Sequence, residues 1–218
     1  MRSWPNEFTI IYKRCSKSFP NIVHNTAMWN LPNILTLVRI VVIPALVIVY
    51  MMDRPWSGLV ATILFVGAAI TDWADGYFAR KMNLQTAFGA FLDPVADKLI
   101  VSTSLIVLIS DPKVLGSVYN TWLLAVSVAV IIGREIVVSA LREWMASEGS
   151  SATVAVSMLG KVKTTFQMIA IGMLLFHNDL WGIPVFVLGE LLLYLAAALT
   201  LWSMLIYLKA AWPILSKS

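Results

Sequence analysis

Charge is scarce along this chain. Only 13% of its 218 residues are Asp, Glu, Lys or Arg, about half the share of an ordinary soluble domain, and 59% are hydrophobic. That balance excludes a soluble globular domain. The apolar runs between the few charges approach the roughly 20 residues that cross about 30 Å of hydrocarbon. Cysteine is nearly absent: a lone Cys15 excludes an internal disulfide, and with only His24 and His177 beside it there is neither a Cys/His metal cluster nor a Cys–His nucleophile pair. Both histidines read as plain loop residues. No internal repeat or low-complexity tract is visible, and no Gly/Pro-broken segments recur in two halves as in an inverted-repeat transporter. The net charge of +4 does not mark a nucleic-acid binder, because the 16 Lys and Arg are spread over loops and helix ends and form no basic patch.

What the sequence has is hydrophobic length. Six segments, about 33–52, 57–79, 88–109, 118–141, 158–176 and 182–209, predict an all-α integral membrane bundle of six transmembrane helices. Lys and Arg gather in the N-terminal segment, the Arg80-Lys81 loop, the Arg142 to Lys163 region and the Lys209 to Lys217 tail, while the opposite loops carry only Arg54 and Lys113. By the positive-inside rule both termini face the cytoplasm, and so do the adjoining ends of the second and third spans. Trp29, Trp56, Trp122, Trp181 and Trp212 fall near span ends, where aromatic rings anchor at the interface. Residues 1–28 are polar, lack the apolar core of a secretory signal, and read as an N-terminal extension, with Met28 placed to serve as initiator and an organelle transit peptide as the alternative. The membrane domain is residues 29–218.

Four carboxylates lie on two adjoining helix ends. Asp72 and Asp75 close the second span, and Asp93 and Asp97 open the third, each pair three or four residues apart and so on one helix face. A short hairpin between the spans brings the pairs together. Four acids at a bilayer boundary repel one another, and a charge near the membrane centre costs about 2.5–3.5 kcal/mol, so they need cations to persist. Hard divalent ions with oxygen ligands suit such a set, and a two-metal phosphoryl-transfer site, with two Mg²⁺ or Mn²⁺, is the expected arrangement. Gly76 and Ala79 leave a groove beside the acids where a nucleotide or pyrophosphate can approach the backbone, and Gly89 serves the facing helix in the same way, unless it is there only for helix packing.

The spacing D-x2-D-G-x2-A-R-x8-G-x3-D-x3-D, complete as Asp72, Asp75, Gly76, Ala79, Arg80, Gly89, Asp93 and Asp97, resembles the signature of the CDP-alcohol phosphotransferases. The likeness extends over about residues 29–209, through Asn30-Leu31-Pro32-Asn33 with Thr36 and Arg39, Gly133-Arg134-Glu135, Ser139 to Met145 and Gly160 to Thr165, toward the bacterial branch that makes phosphatidylglycerophosphate. The resemblance implies that Asp72, Asp75 and Asp93 hold metal and that Asp97 both touches metal and acts as general base on an acceptor hydroxyl. It further implies CDP-diacylglycerol and sn-glycerol 3-phosphate as substrates, membrane lipid as surroundings, a homodimer, and residence in the bacterial inner membrane.

The remaining polar residues are read against that chemistry. Arg80 is placed to pair with a pyrophosphate, or to snorkel to the interface. Asn33, Thr36 and Arg39 form a polar stripe on the first span, facing the nucleotide or metal site or bonding another helix. Arg134, Arg142, Lys161 and Lys163 supply the positive charge that a dianionic acceptor needs, Arg142 and Lys161 foremost by resemblance, although orientation signals would also place cations there. Glu135 and Glu143 are expected to orient these cations. Rival readings keep the chemistry and change the acceptor, to phosphatidylglycerol, serine or inositol phosphate, or make the acids the pathway of a divalent-cation transporter.

Overall fold

The computed structural model describes residues 31–82, 87–147 and 158–215. The extension assigned to residues 1–28 lies outside them. The described residues form helices α1 (Leu31–Met51), α2 (Ser57–Met82), α3 (Ala87–Ser110), α4 (Pro112–Ser117), α5 (Thr121–Ser147), α6 (Met158–Phe176) and α7 (Val185–Leu215). Among them there is no strand, only an isolated bridge between Leu180 and Ile183. Each apolar segment read from the sequence is one long helix. The short α4 was not foreseen: Asp111 caps it by accepting from the Lys113 backbone N–H at 2.8 Å, with Pro112 in its first turn.

Among the described residues, three helices are long and apolar enough to cross a membrane, over Asn33–Met51, Thr121–Met145 and Val185–Lys209. The apolar stretch of α2 ends at Asp72 and that of α6 begins at Val162, and α3 carries Asp93, Asp97 and Lys98 in its first half. The two shorter apolar stretches, Ser57–Asp72 and Val162–Phe176, thus belong to helices that spend part of their length on charged groups.

The loops between α1 and α2, α3 and α5, and α6 and α7 are drawn together at one end of the bundle. Lys113 pairs with Asp53, which holds the Lys113 ammonium above its ordinary pKa by hydrogen bonding. The Tyr50 hydroxyl donates to Asp111 at 2.8 Å. Buried Glu190, near the start of α7, accepts from the Tyr119 backbone N–H at 2.9 Å and from the Tyr194 hydroxyl at 2.5 Å. The starts of α1, α3 and α6 and the ends of α2, α5 and α7 therefore share the other end, where the acids lie.

The helices pack through small residues. Ala61, Ala68, Ala170 and Ala197 are buried among Phe65, Leu105, Leu108, Leu174 and Leu193, while Val41, Ile63, Leu191 and Trp202 stand exposed around the outside. Water would penalise that outer surface; lipid tails suit it, and close backbone approach then supplies the packing. α3 touches α1, α4, α5 and α6, so its acids lie amid the bundle.

α2 and α6 meet backbone to backbone at Gly58, where an added Cβ would stand 2.8 Å from the Leu175 carbonyl oxygen and 3.1 Å from that of Phe176. At Gly67, farther along α2, an added Cβ would meet nothing within 4 Å. Gly58→Ala is expected to destabilise by about 1–3 kcal/mol through overpacking, and Gly67→Ala to be neutral or slightly stabilising. Thermal unfolding in detergent measures both, and equal unfolding temperatures would contradict the close approach.

Candidate active site

α1 supplies the groups that organise the acids. Thr36 and Arg39 lie three residues apart on one face of a helix packed against both α2 and α3. The Thr36 hydroxyl donates to Asp93 Oδ1 at 2.5 Å. Arg39 Nη1 lies 2.9 Å from Asp72 Oδ1 and 2.6 Å from Asp97 Oδ1, so one nitrogen ties acids from two helices. The Arg39 side chain is 1% exposed, whereas those of Asp72 and Asp97 are 44% and 47% exposed. The cation is sealed behind the carboxylates, and the carboxylates face open space.

That space is a cavity of about 750 Å³. Asp72, Asp97 and Arg39 line one part of it, with Lys98, Arg134, Glu135 and Lys163 elsewhere in the wall. Arg134 Nη1 donates to Glu135 Oε1 at 2.7 Å, and Lys163 Nζ reaches the same oxygen at 3.3 Å. Lys98 donates to the Ser139 hydroxyl, tying α3 to α5. At Arg39, two carboxylates meet one guanidinium; at Glu135, two cations meet one carboxylate. The cavity is therefore electrically two-sided, able to take a cation against the acids and an anion against the bases.

Several residues singled out in the sequence converge here. Thr36 and Arg39 make the helix-to-helix bonds foreseen as one alternative, to acids of α2 and α3. Asn33 is buried one turn before Thr36 on α1, and Gly89 is buried one turn before Asp93 on α3. Arg134 and Lys163 meet at Glu135, which orients both, whereas Glu143 is exposed. Asp75, Gly76, Ala79 and Arg80 lie along α2, Arg142 on α5 and Lys161 on α6, and their side chains fall outside the described ones. Lys98, Ser139 and Gln167 had drawn no role. Their signals were positional: Lys98 follows Asp97 directly, Ser139 stands one turn beyond Glu135, and Gln167 one turn beyond Lys163.

Among the described residues, no three acids form a ready metal-ligating group. The donor chemistry nonetheless fits hard divalent ions, because Asp72, Asp93 and Asp97 offer carboxylate oxygens and two of them already converge on a single cationic point at Arg39 Nη1.

Comparison with known proteins matches this site to one family. The family model described as CDP-alcohol phosphatidyltransferase matches residues 29–202. The chain belongs to the CDP-alcohol phosphatidyltransferase family. It is 47% identical over 183 residues to the CDP-diacylglycerol--glycerol-3-phosphate 3-phosphatidyltransferase of Salmonella choleraesuis (strain SC-B67), covering 84% of this chain and 95% of that protein. The Escherichia coli (strain K12) protein of the same name is 46% identical over the same shares. As a CDP-alcohol phosphatidyltransferase, the chain keeps its acid pattern, Arg39, Arg134 and Lys163 inside the matched region.

Arg39→Leu removes the only basic side chain shown bonding Asp72 or Asp97 among the described residues. The two acids would then face each other without that cation, and stability should fall by about 1–3 kcal/mol, less than for a fully buried pair because both carboxylates are partly solvated. Thermal unfolding in metal-free detergent buffer tests this phosphatidyltransferase prediction; an unchanged midpoint would mean that Arg39 does not hold the acids.

Proposed function

We infer that the chain transfers the phosphatidyl group of CDP-diacylglycerol to sn-glycerol 3-phosphate, giving phosphatidylglycerophosphate and CMP. The names of its relatives supply the reaction, and the two-sided cavity carries the reading. Asp97 takes the proton of the acceptor hydroxyl. The freed oxygen bonds to the phosphorus that bears diacylglycerol, the bond from that phosphorus to the bridging oxygen breaks, and CMP leaves with that oxygen and the electron pair.

Asp72, Asp75, Asp93 and Asp97 would hold two divalent cations, Mg²⁺ or Mn²⁺, in keeping with the general metal dependence of the family. When bound, these ions neutralise charge on the pyrophosphate. Gly76, Ala79 and Gly89 leave room for the donor, Arg80 pairs with its pyrophosphate, and Asn33, Thr36 and Arg39 set the acids around it. Arg142, Lys161, Arg134 and Lys163 receive the acceptor phosphate. The enzyme domain is residues 29–218, a six-span inner-membrane bundle working as a homodimer, with its site and both termini facing the cytosol. The gathering of the sparsely charged loops at the far end of the bundle supports that orientation.

The deciding experiment is CMP release from CDP-diacylglycerol by purified protein offered glycerol 3-phosphate, phosphatidylglycerol, serine or inositol phosphate. Glycerol 3-phosphate should be strongly preferred, and preference for another acceptor would overturn the assignment. Asp97→Asn should abolish turnover while leaving donor binding within about tenfold, roughly 1.4 kcal/mol.

The acceptor cations give a separate test. Arg142→Ala and Lys161→Ala should each raise the KM for glycerol 3-phosphate about tenfold or more, with little change for CDP-diacylglycerol, and the loss of Arg should cost more because its fork can grip phosphate bidentately. Arg54→Ala, in the far loop, should change neither constant. A rise in the CDP-diacylglycerol constant alone would assign these cations to the donor.

A further inference from the structure

The transfer chemistry gives no task to Gln167, a polar side chain of the cavity wall. Gln167 lies on α6 four residues beyond Lys163, so the two share a helix face one turn apart. It is 3% exposed, it lines the cavity that holds Asp97, and its Oε1 is buried without a hydrogen-bond partner. Buried amide oxygens are nearly always paired, so an orphan in the wall of a site marks a place that a bound group completes. The other orphaned buried oxygens among the described residues, on Ser104 and Thr200, lie outside the cavity wall.

The chemistry of that group follows from what Oε1 can accept. A phosphate or pyrophosphate oxygen has no proton to offer it, and the cations around Glu135 already serve the anionic part of a ligand. The missing partner is a neutral donor, a hydroxyl. Position along the helices agrees. Gln167 is nine residues in from the start of α6 and Asp97 ten in from the start of α3, roughly 14–15 Å at 1.5 Å per residue. Lys163 is one turn nearer the end those starts share. A phosphate held at Lys163 and Arg134 would direct the rest of a small acceptor toward both Asp97 and Gln167.

We propose that Gln167 accepts a hydrogen bond from the acceptor hydroxyl that does not react, so that the site selects a phosphorylated polyol over the same chain lacking that hydroxyl. This rests on the transfer reaction inferred above and adds the specificity-determining residue. A site built to bond a substrate hydroxyl rejects an analogue without it, because its own polar group is then left unpaired.

The test compares glycerol 3-phosphate with 3-hydroxypropyl phosphate, which lacks the middle hydroxyl, by CMP release. For the wild type, kcat/KM should be about tenfold or more lower with the analogue. Gln167→Met, similar in length but without the amide, should bring the two acceptors within about twofold by losing rate only with glycerol 3-phosphate, and Gln167→Glu, which keeps an accepting oxygen, should retain the preference. Equal use of both acceptors by the wild type would overturn the proposal without any variant, and so would a Gln167→Met loss in the same proportion for both. If Gln167→Met fails to fold, Gln167→Ala makes the same comparison. No CMP release from the wild type with glycerol 3-phosphate would instead sink the transfer reading, and the proposal with it.

Discussion

Arg39 is the side chain through which three helices exchange charge: its guanidinium, shut away from solvent on α1, touches Asp72 on α2 and Asp97 on α3 with a single nitrogen. In a medium of low dielectric an uncompensated carboxylate is expensive, and two of them brought together more so. The Arg39 contact makes their approach tolerable, and the hydrogen bond from Thr36 to Asp93 fixes the third acid within reach. Because the guanidinium lies behind the acids, their outer sides remain turned to the cavity.

The rest of the site follows from keeping opposite charges apart in one chamber. Among the described side chains, Arg134 and Lys163 both meet Glu135. Lys98 stands next to Asp97 in sequence yet donates to Ser139 on α5. One residue along a helix turns the side chain by about 100°, which is enough to send neighbours to different partners. In the proposed reaction, a donor with a pyrophosphate and an acceptor with a phosphate would meet distinct surroundings before they meet each other. At the far end of the bundle, Glu190, Asp111 and the pair of Asp53 with Lys113 fasten the loops.

Much of this was legible from spacing. Hydrophobic length located the six long helices, since each apolar run had to become a hydrogen-bonded helix in lipid, and the acid pattern picked out Asp72, Asp93 and Asp97, which the fold draws to Arg39 and Thr36. Less legible were contacts set by how helices rotate against one another. The sequence placed Thr36 and Arg39 on one stripe without saying that the stripe turns toward Asp93, Asp72 and Asp97. Gln167 read as an ordinary residue of an apolar helix until the cavity showed which way that helix faces. The short α4 was hidden because six residues carry no periodicity.

The proposed division of the cavity into a donor side at the aspartates and an acceptor side at Glu135 is most directly measured by phosphorus relaxation with Mn²⁺ bound to the detergent-solubilised protein. Paramagnetic relaxation falls steeply with distance from the ion, so the two phosphates of a bound cytidine diphosphate analogue should relax much faster than the phosphate of bound glycerol 3-phosphate. Faster relaxation of the glycerol 3-phosphate phosphorus would contradict the division, placing the acceptor's phosphate, and not the donor's, against the four acids.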